Sequence, residues 1–218
     1  MENRRNEIFI GLLFLSAIVA YGTGTAFVDS ILNTEDNIKQ LFLNKTKYVT
    51  GSLLMLSNSV VVIAIGILFY PILEKINKTI ANTYFAVRLV EGILLAFGVI
   101  NLLTISIVSE LSNKSQEIFL LKMVIILRKF NFFSYQLAML SLGFGSLFFC
   151  FSLFKSKIIP RTLSVWGLIG YFLLFLGSVL ELFGYEVGLI LCIPGGLFEI
   201  VLPFWLFFKG FNLPIVNK

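Results

Sequence analysis

The sequence predicts an all-α integral membrane bundle of about six transmembrane helices, with one or two short interfacial helices on the outer side. Three observations lead there. Hydrophobic residues make up 58% of the 218-residue chain and the mean hydropathy is +0.95, well above the roughly 45–50% apolar usage of soluble domains. Apolar stretches recur along the whole chain, each close to the roughly 20 residues that cross a hydrocarbon core about 30 Å thick. Charged residues gather between these stretches instead of lining one face of them.

Six stretches qualify: Ile8 to Val28, Tyr48 to Tyr70, Ile80 to Val108, Phe132 to Phe154, Leu163 to Phe183 and Val187 to Phe208. The first follows Arg4 and Arg5 and runs into small residues around Gly22 and Gly24. A cleaved leader is the alternative there, but the apolar run is long for one, so a retained first helix is expected. The stretches recur without a soluble segment between them, so residues 1–218 are expected to form a single multi-pass domain.

Two connections are long and carry amphipathic patterns. In the first, Asn33-Thr34-Glu35-Asp36 supplies a helix cap with acidic residues, followed by Ile38, Leu41 and Phe42 at helical spacing. In the second, Ser115 and Glu117 open an apolar run from Ile118 to Leu127. Ten residues are too few to cross, so an interfacial or re-entrant helix is expected, with a seventh span as the alternative. Pro71 is expected to end the second span, and Pro160 precedes the fifth. Pro194 and Pro203 interrupt the sixth, and Gly195-Gly196 beside the first makes a kink or an unwound turn the expectation there.

Charge sets the topology. With six spans and the N-terminus inside, the inner segments hold nine basic residues, among them Arg4, Lys75, Lys155, Arg161 and Lys209, against three acidic ones. The outer segments hold seven against six. Cytoplasmic loops collect Lys and Arg, so both termini are expected in the cytoplasm of a cell whose membrane holds the chain. The same distribution explains the net charge of +5 without nucleic acid as a partner; membrane lipid is the expected surrounding.

Histidine is absent, and the two cysteines, Cys150 and Cys192, lie far apart inside apolar stretches. No catalytic residue, cofactor or metal site is expected, and no nucleophile elbow, zinc motif or phosphate loop occurs. What remains is a set of ionisable residues in the spans, which persist in lipid when they pair or face a cavity. Arg88 and Glu91 lie three apart on one helical face. Helical rise puts Glu91 roughly 13 Å and Glu199 roughly 15 Å from the inner ends of their helices. Arg88, Glu91 and Glu199 are therefore the candidate ligand-binding residues, set between the third and sixth spans; the alternative is a buried ion-pair network that fixes packing. Glu181 is expected at the membrane surface, and Asn58, Asn101, Tyr135 and Gln136 as bonds between helices. An inverted repeat finds no support, because no copy of the Arg88–Glu91 pair stands in the outer half of the sixth span.

Three segments carry a family resemblance: Arg88-Leu89-Val90-Glu91; the run from Gly143-Phe144-Gly145 through Lys155-Ser156-Lys157-Ile158-Ile159-Pro160-Arg161 to Leu163; and Phe198-Glu199 through Trp205-Leu206 to Lys209-Gly210. In this order and spacing the chain resembles a bacterial multi-pass membrane family catalogued as domain of unknown function 4386. The resemblance implies a bacterial membrane protein and implies no activity. The expected function is a small-solute or lipid binding or transport component, with a small molecule or another membrane protein as possible partner. The alternative is a membrane interaction or stress-related accessory protein whose charged cluster is structural, with an enzyme third.

Overall fold

A computed structural model describes residues 2–34, 36–110 and 117–212, which form seven helices and, among the described residues, no strand. They are α1 (Glu2–Leu32), α2 (Asn37–Leu43), α3 (Lys45–Glu74), α4 (Lys78–Glu110), α5 (Glu117–Ser156), α6 (Arg161–Leu182) and α7 (Gly188–Phe208). All except α2 are long and apolar enough to cross a membrane. In lipid every backbone N–H and C=O must be satisfied within the protein, and continuous helices do so without help from water.

The six long helices form a ring. Each packs chiefly against its neighbours in sequence, and α7 returns to α1 to close the circle along its thinnest seam. Lipid tails are as apolar as leucine, so contact between helices depends on close van der Waals fit, which small residues permit. Gly24 on α1 and Gly51 on α3 illustrate this, since a Cβ at either position would lie within 2.6–2.8 Å of the other's carbonyl oxygen. Gly145 makes room for Val87 in the same way, and Gly170 lets α6 lie against Gly195 of α7.

The fully buried Phe69 organises the core toward the end where α1 begins. Its ring meets those of Phe14, Tyr84, Phe149 and Phe211 at centroid distances of 6.2, 5.5, 5.2 and 5.8 Å, all edge-on. These rings come from α1, α4, α5 and the segment after α7, so one side chain ties most of the ring together. The same end holds Arg4, Lys157, Arg161 and Lys209 and is called the basic end below. Arg4 donates to the Leu206 carbonyl at 2.7 Å and to that of Phe207, and the Phe211 amide donates to Glu7 at 3.1 Å. Glu7, counted above as a loop charge, is 5% exposed and stitches the seam.

Several sequence expectations change. Residues 118–127 are not a helix of their own; they are the first turns of α5, a single helix of 40 residues. The apolar run ends where Arg128 and Lys129 begin, but a helix continues through such charges when the side chains find partners. Arg128 donates to the Leu32 carbonyl and the Asn33 side chain at 3.1 and 2.7 Å, and Lys129 lies over the Phe132 ring. A seventh span does not form among the described residues, and the expected cap at Ser115 falls outside them. The first amphipathic pattern does become a helix, α2, with Leu41 buried, yet Asp36 caps it with no side-chain bond; Glu35 lies outside the described residues. Pro71 does not end α3, which continues to Glu74. Pro194 and Pro203 both sit inside an unbroken α7, so the unwound turn is absent. Glu181 is not merely a surface residue, because its carboxylate accepts the Gly188 amide at 2.7 Å and so satisfies the first turn of α7.

The contrast between glycines gives a test. Gly51→Ala should destabilise the protein by about 1–3 kcal/mol through overpacking, read as a lower unfolding temperature in detergent. A Cβ at Gly22 meets nothing within 4 Å, so Gly22→Ala should be neutral or stabilise by up to about 1 kcal/mol through helix propensity.

Candidate functional site

The three ionisable residues selected from the sequence meet at the centre of the ring. Arg88 and Glu91 come from consecutive turns of α4, and Glu199 arrives from α7. The Arg88 guanidinium donates through Nη1 to both Glu91 oxygens at 3.0 and 3.4 Å, and through Nη2 to Glu199 Oε1 at 3.2 Å. Its Nε donates to the Tyr84 hydroxyl at 3.0 Å, and the guanidinium lies 5.3 Å from the ring centroids of both Phe14 and Tyr84. Tyr171 of α6 donates to Glu199 Oε1 at 2.8 Å. Cations over aromatic faces gain further attraction where water is excluded.

Local sequence explains the placement. Tyr84, Arg88 and Glu91 share one face of α4 by their spacing of four and three. Gly66 on α3 gives the arginine stem its space, because a Cβ there would lie 2.8 Å from the Arg88 Cβ. Close packing of Gly170 on Gly195 brings α6 and α7 together beside Tyr171 and Glu199. Tyr84 was legible as the residue four before Arg88; Tyr171 had no local signal, because its partner is 28 positions away.

Exposure divides the trio into two roles. The Arg88 and Glu91 side chains are 2% and 3% exposed, whereas Glu199 is 20% exposed. All three line a cavity of about 500 Å³. Both hydrogen bonds to Glu199 arrive at Oε1, so among the described residues Oε2 has no hydrogen-bond partner. The remaining walls are mostly apolar, including Ile18, Val62, Leu95, Leu142 and Leu174. Arg88, by contrast, makes four hydrogen bonds to protein acceptors, three of them carboxylate oxygens, and is only 2% exposed, so it offers little to an incoming anion.

The cavity reaches the outside of the ring between α1 and α7. Gly11 lies against the Phe207 ring near the basic end of that seam. Eleven residues further along each helix, roughly 16 Å away, stand Gly22 and Gly196. Both line the cavity, both are exposed, and a Cβ on either would meet nothing within 4 Å. The seam is stitched at one end and parted at the other. Of the polar residues expected to bond between helices, Asn58 and Tyr135 line the cavity, while the Asn101 amide donates at 2.8 Å to Phe97 on its own helix.

The family model described as Domain of unknown function (DUF4386) matches residues 9–210. The chain belongs to that family. No curated protein and no solved structure matches it. Within this DUF4386 member, the segments that carried the resemblance are those that build the cluster: α4 supplies Arg88 and Glu91, and α7 supplies Glu199. The segment joining α5 to α6 does other work, since the Ile158 carbonyl in it accepts the Asn212 amide at 2.9 Å and anchors the chain after α7.

Removing one partner from a buried ion pair leaves an uncompensated charge, at a cost of about 3–5 kcal/mol. Arg88→Met should therefore destabilise by that order or abolish folded yield. Glu199→Gln should cost less than half as much, because Gln keeps an acceptor for Tyr171 and the position is partly open. Thermal unfolding monitored by size-exclusion chromatography in detergent compares the two.

Proposed function

We propose that this membrane protein binds a small amphiphilic molecule carrying a cationic or hydrogen-bond-donating group, which it takes up from the bilayer as a binding or transport component. The observation that supports this most directly is that Glu199, whose Oε2 has no hydrogen-bond partner among the described residues, lines a mostly apolar cavity of about 500 Å³. Ligand sites of this kind combine apolar walls with a few fixed polar groups, in volumes of roughly 300–1,000 Å³. One guanidinium facing two carboxyl groups makes the cluster complementary to a donor or a cation, not to an anion. Arg88 and Glu91 hold the carboxylate of Glu199 in place, and Glu199 meets the ligand.

The parted seam between α1 and α7 supports entry from the side. An amphiphile could keep its apolar part in lipid contact while its polar group moves toward Glu199, so neither end crosses the hydrocarbon unsolvated. The second reading, an accessory membrane protein with a purely structural cluster, draws on the saturation of Arg88 by protein partners. It accounts for Arg88 and Glu91 but gives no role to the cavity. As part of the same proposal, residues 1–218 act as one domain in a bacterial cytoplasmic membrane, with the basic end and both termini facing the cytoplasm.

Tetraphenylphosphonium, a lipophilic cation of suitable size, tests the proposal against its isosteric anion tetraphenylborate. In nanodiscs the protein should bind the cation saturably above the lipid background and show no such binding of the anion. Coulomb attraction between two unit charges about 6 Å apart at an effective dielectric of about 20 is about 3 kcal/mol, so Glu199→Gln should weaken cation binding roughly tenfold or more. Equal binding by the Gln variant, or equal binding of the anion, would falsify the assignment.

A further inference from the structure

A second cavity, of about 450 Å³, lies between α1 and α5 on the far side of the ring from the basic end. Its lining differs in kind from the central one: Asp29, Arg128, Lys129 and Asn131 contribute charge and hydrogen-bonding groups. Two residues line both cavities, Tyr21 of α1 and Tyr135 of α5. Their rings are stacked, with centroids 5.6 Å apart and planes 19° from parallel. Because α1 and α5 are not neighbours in the ring, this stack reaches across its interior and stands between the two spaces.

The position follows from helix lengths. Gly143 of α5 lies against Phe175 of α6, and these helices are antiparallel, so Tyr135 is level with about residue 183. There α6 has already ended at Leu182. Beyond the tyrosines the walls are α1, α3, α4 and α5 alone. Beside Tyr21, a Cβ on Gly22 would meet nothing within 4 Å, so the backbone next to the ring is not packed in. Arg128 fixes the opposite rim by holding the last carbonyl of α1 at 3.1 Å.

Two cationic side chains, Arg128 and Lys129, face one carboxylate, Asp29, in that lining, so it suits a neutral solute better than a cation. We propose that the outer cavity is a polar vestibule and that the stacked Tyr21–Tyr135 pair is a gate through which a small neutral, hydrogen-bond-donating solute reaches Glu199. The passenger's donor character rests on the ligand reading above; the gate itself does not. This gives the central cavity two entrances, a lipid-facing one between α1 and α7 and a water-facing one behind the tyrosines.

The chain carries its own reporters. Cys192 lines the central cavity and also a smaller one of about 200 Å³ that Tyr135 shares, whereas Cys150 is fully buried in the core. In proteoliposomes of the full chain, a membrane-impermeant trimethylammonium methanethiosulfonate reagent should modify Cys192 slowly in the wild type. Tyr21→Ala, at the ring that does not line the smaller cavity, should raise that rate at least tenfold while Cys150 stays unreacted, and Tyr135→Phe, which keeps the stack, should leave it unchanged. Reaction at Cys150 would report lost packing in the Tyr21→Ala variant, and Tyr21→Leu then takes its place with the same expected acceleration. The gate is refuted if Cys192 reacts no faster once the stack is removed, or if it already reacts in the wild type as fast as in denatured protein. Tetraphenylphosphonium binding with no acceleration leaves a site lacking this entrance. Acceleration without such binding upholds the gate and overturns the ligand assignment.

Discussion

A guanidinium buried at the centre of a membrane bundle is the constraint on which the rest of this architecture depends. Arg88 cannot shed its charge, so each of its donors needs an acceptor or an aromatic face inside the protein. Glu91 and Tyr84 answer from the same helix, Glu199 from α7, and Phe14 from α1. Meeting one side chain's demands thus fixes how α1, α4 and α7 stand relative to one another. Gly66 is part of the same solution, because the arginine stem occupies the space that a side chain on α3 would fill.

That satisfaction is uneven, and the unevenness carries the functional argument. Arg88 and Glu91 close on one another and leave almost no surface. Glu199 spends one oxygen on Arg88 and Tyr171, keeps the other unpartnered, and lines an apolar space that Gly22 and Gly196 leave open on one side. A cluster built only for packing gains nothing from such an opening. The division of labour resembles that of many binding sites, in which inner groups position the one that makes contact.

The fold was largely legible because lipid imposes few solutions. Six apolar stretches became six long helices, and the pair spaced three apart on α4 met the carboxylate of α7. Errors arose where a local signal was outweighed by tertiary partners. Arg128 and Lys129 looked like a boundary, yet a helix carries such residues when a carbonyl and a ring are within reach. Pro194 looked like a break, yet a proline removes only one donor and the remaining turns of α7 hold. The partners of Tyr171, Glu7 and Tyr21 could not be read, because each is distant in sequence and on another element; Tyr135, expected to bond between helices, meets α1 by stacking on Tyr21. Glu181 was visible as a charge but not as the group that completes the first turn of α7.

Closure of the ring by its first and last helices has a consequence for biogenesis. Helices enter a membrane in the order in which they are made, so α4 is in place well before α7. Arg88 reaches the bilayer already neutralised by Glu91 from its own helix, a self-contained pair that can wait in lipid at modest cost. Glu199 arrives last and finds both the guanidinium and the hydroxyl of Tyr171 waiting. The Arg4 and Glu7 contacts on α1 then fasten the end of α7, so this later helix completes the polar centre and locks the circle in one step.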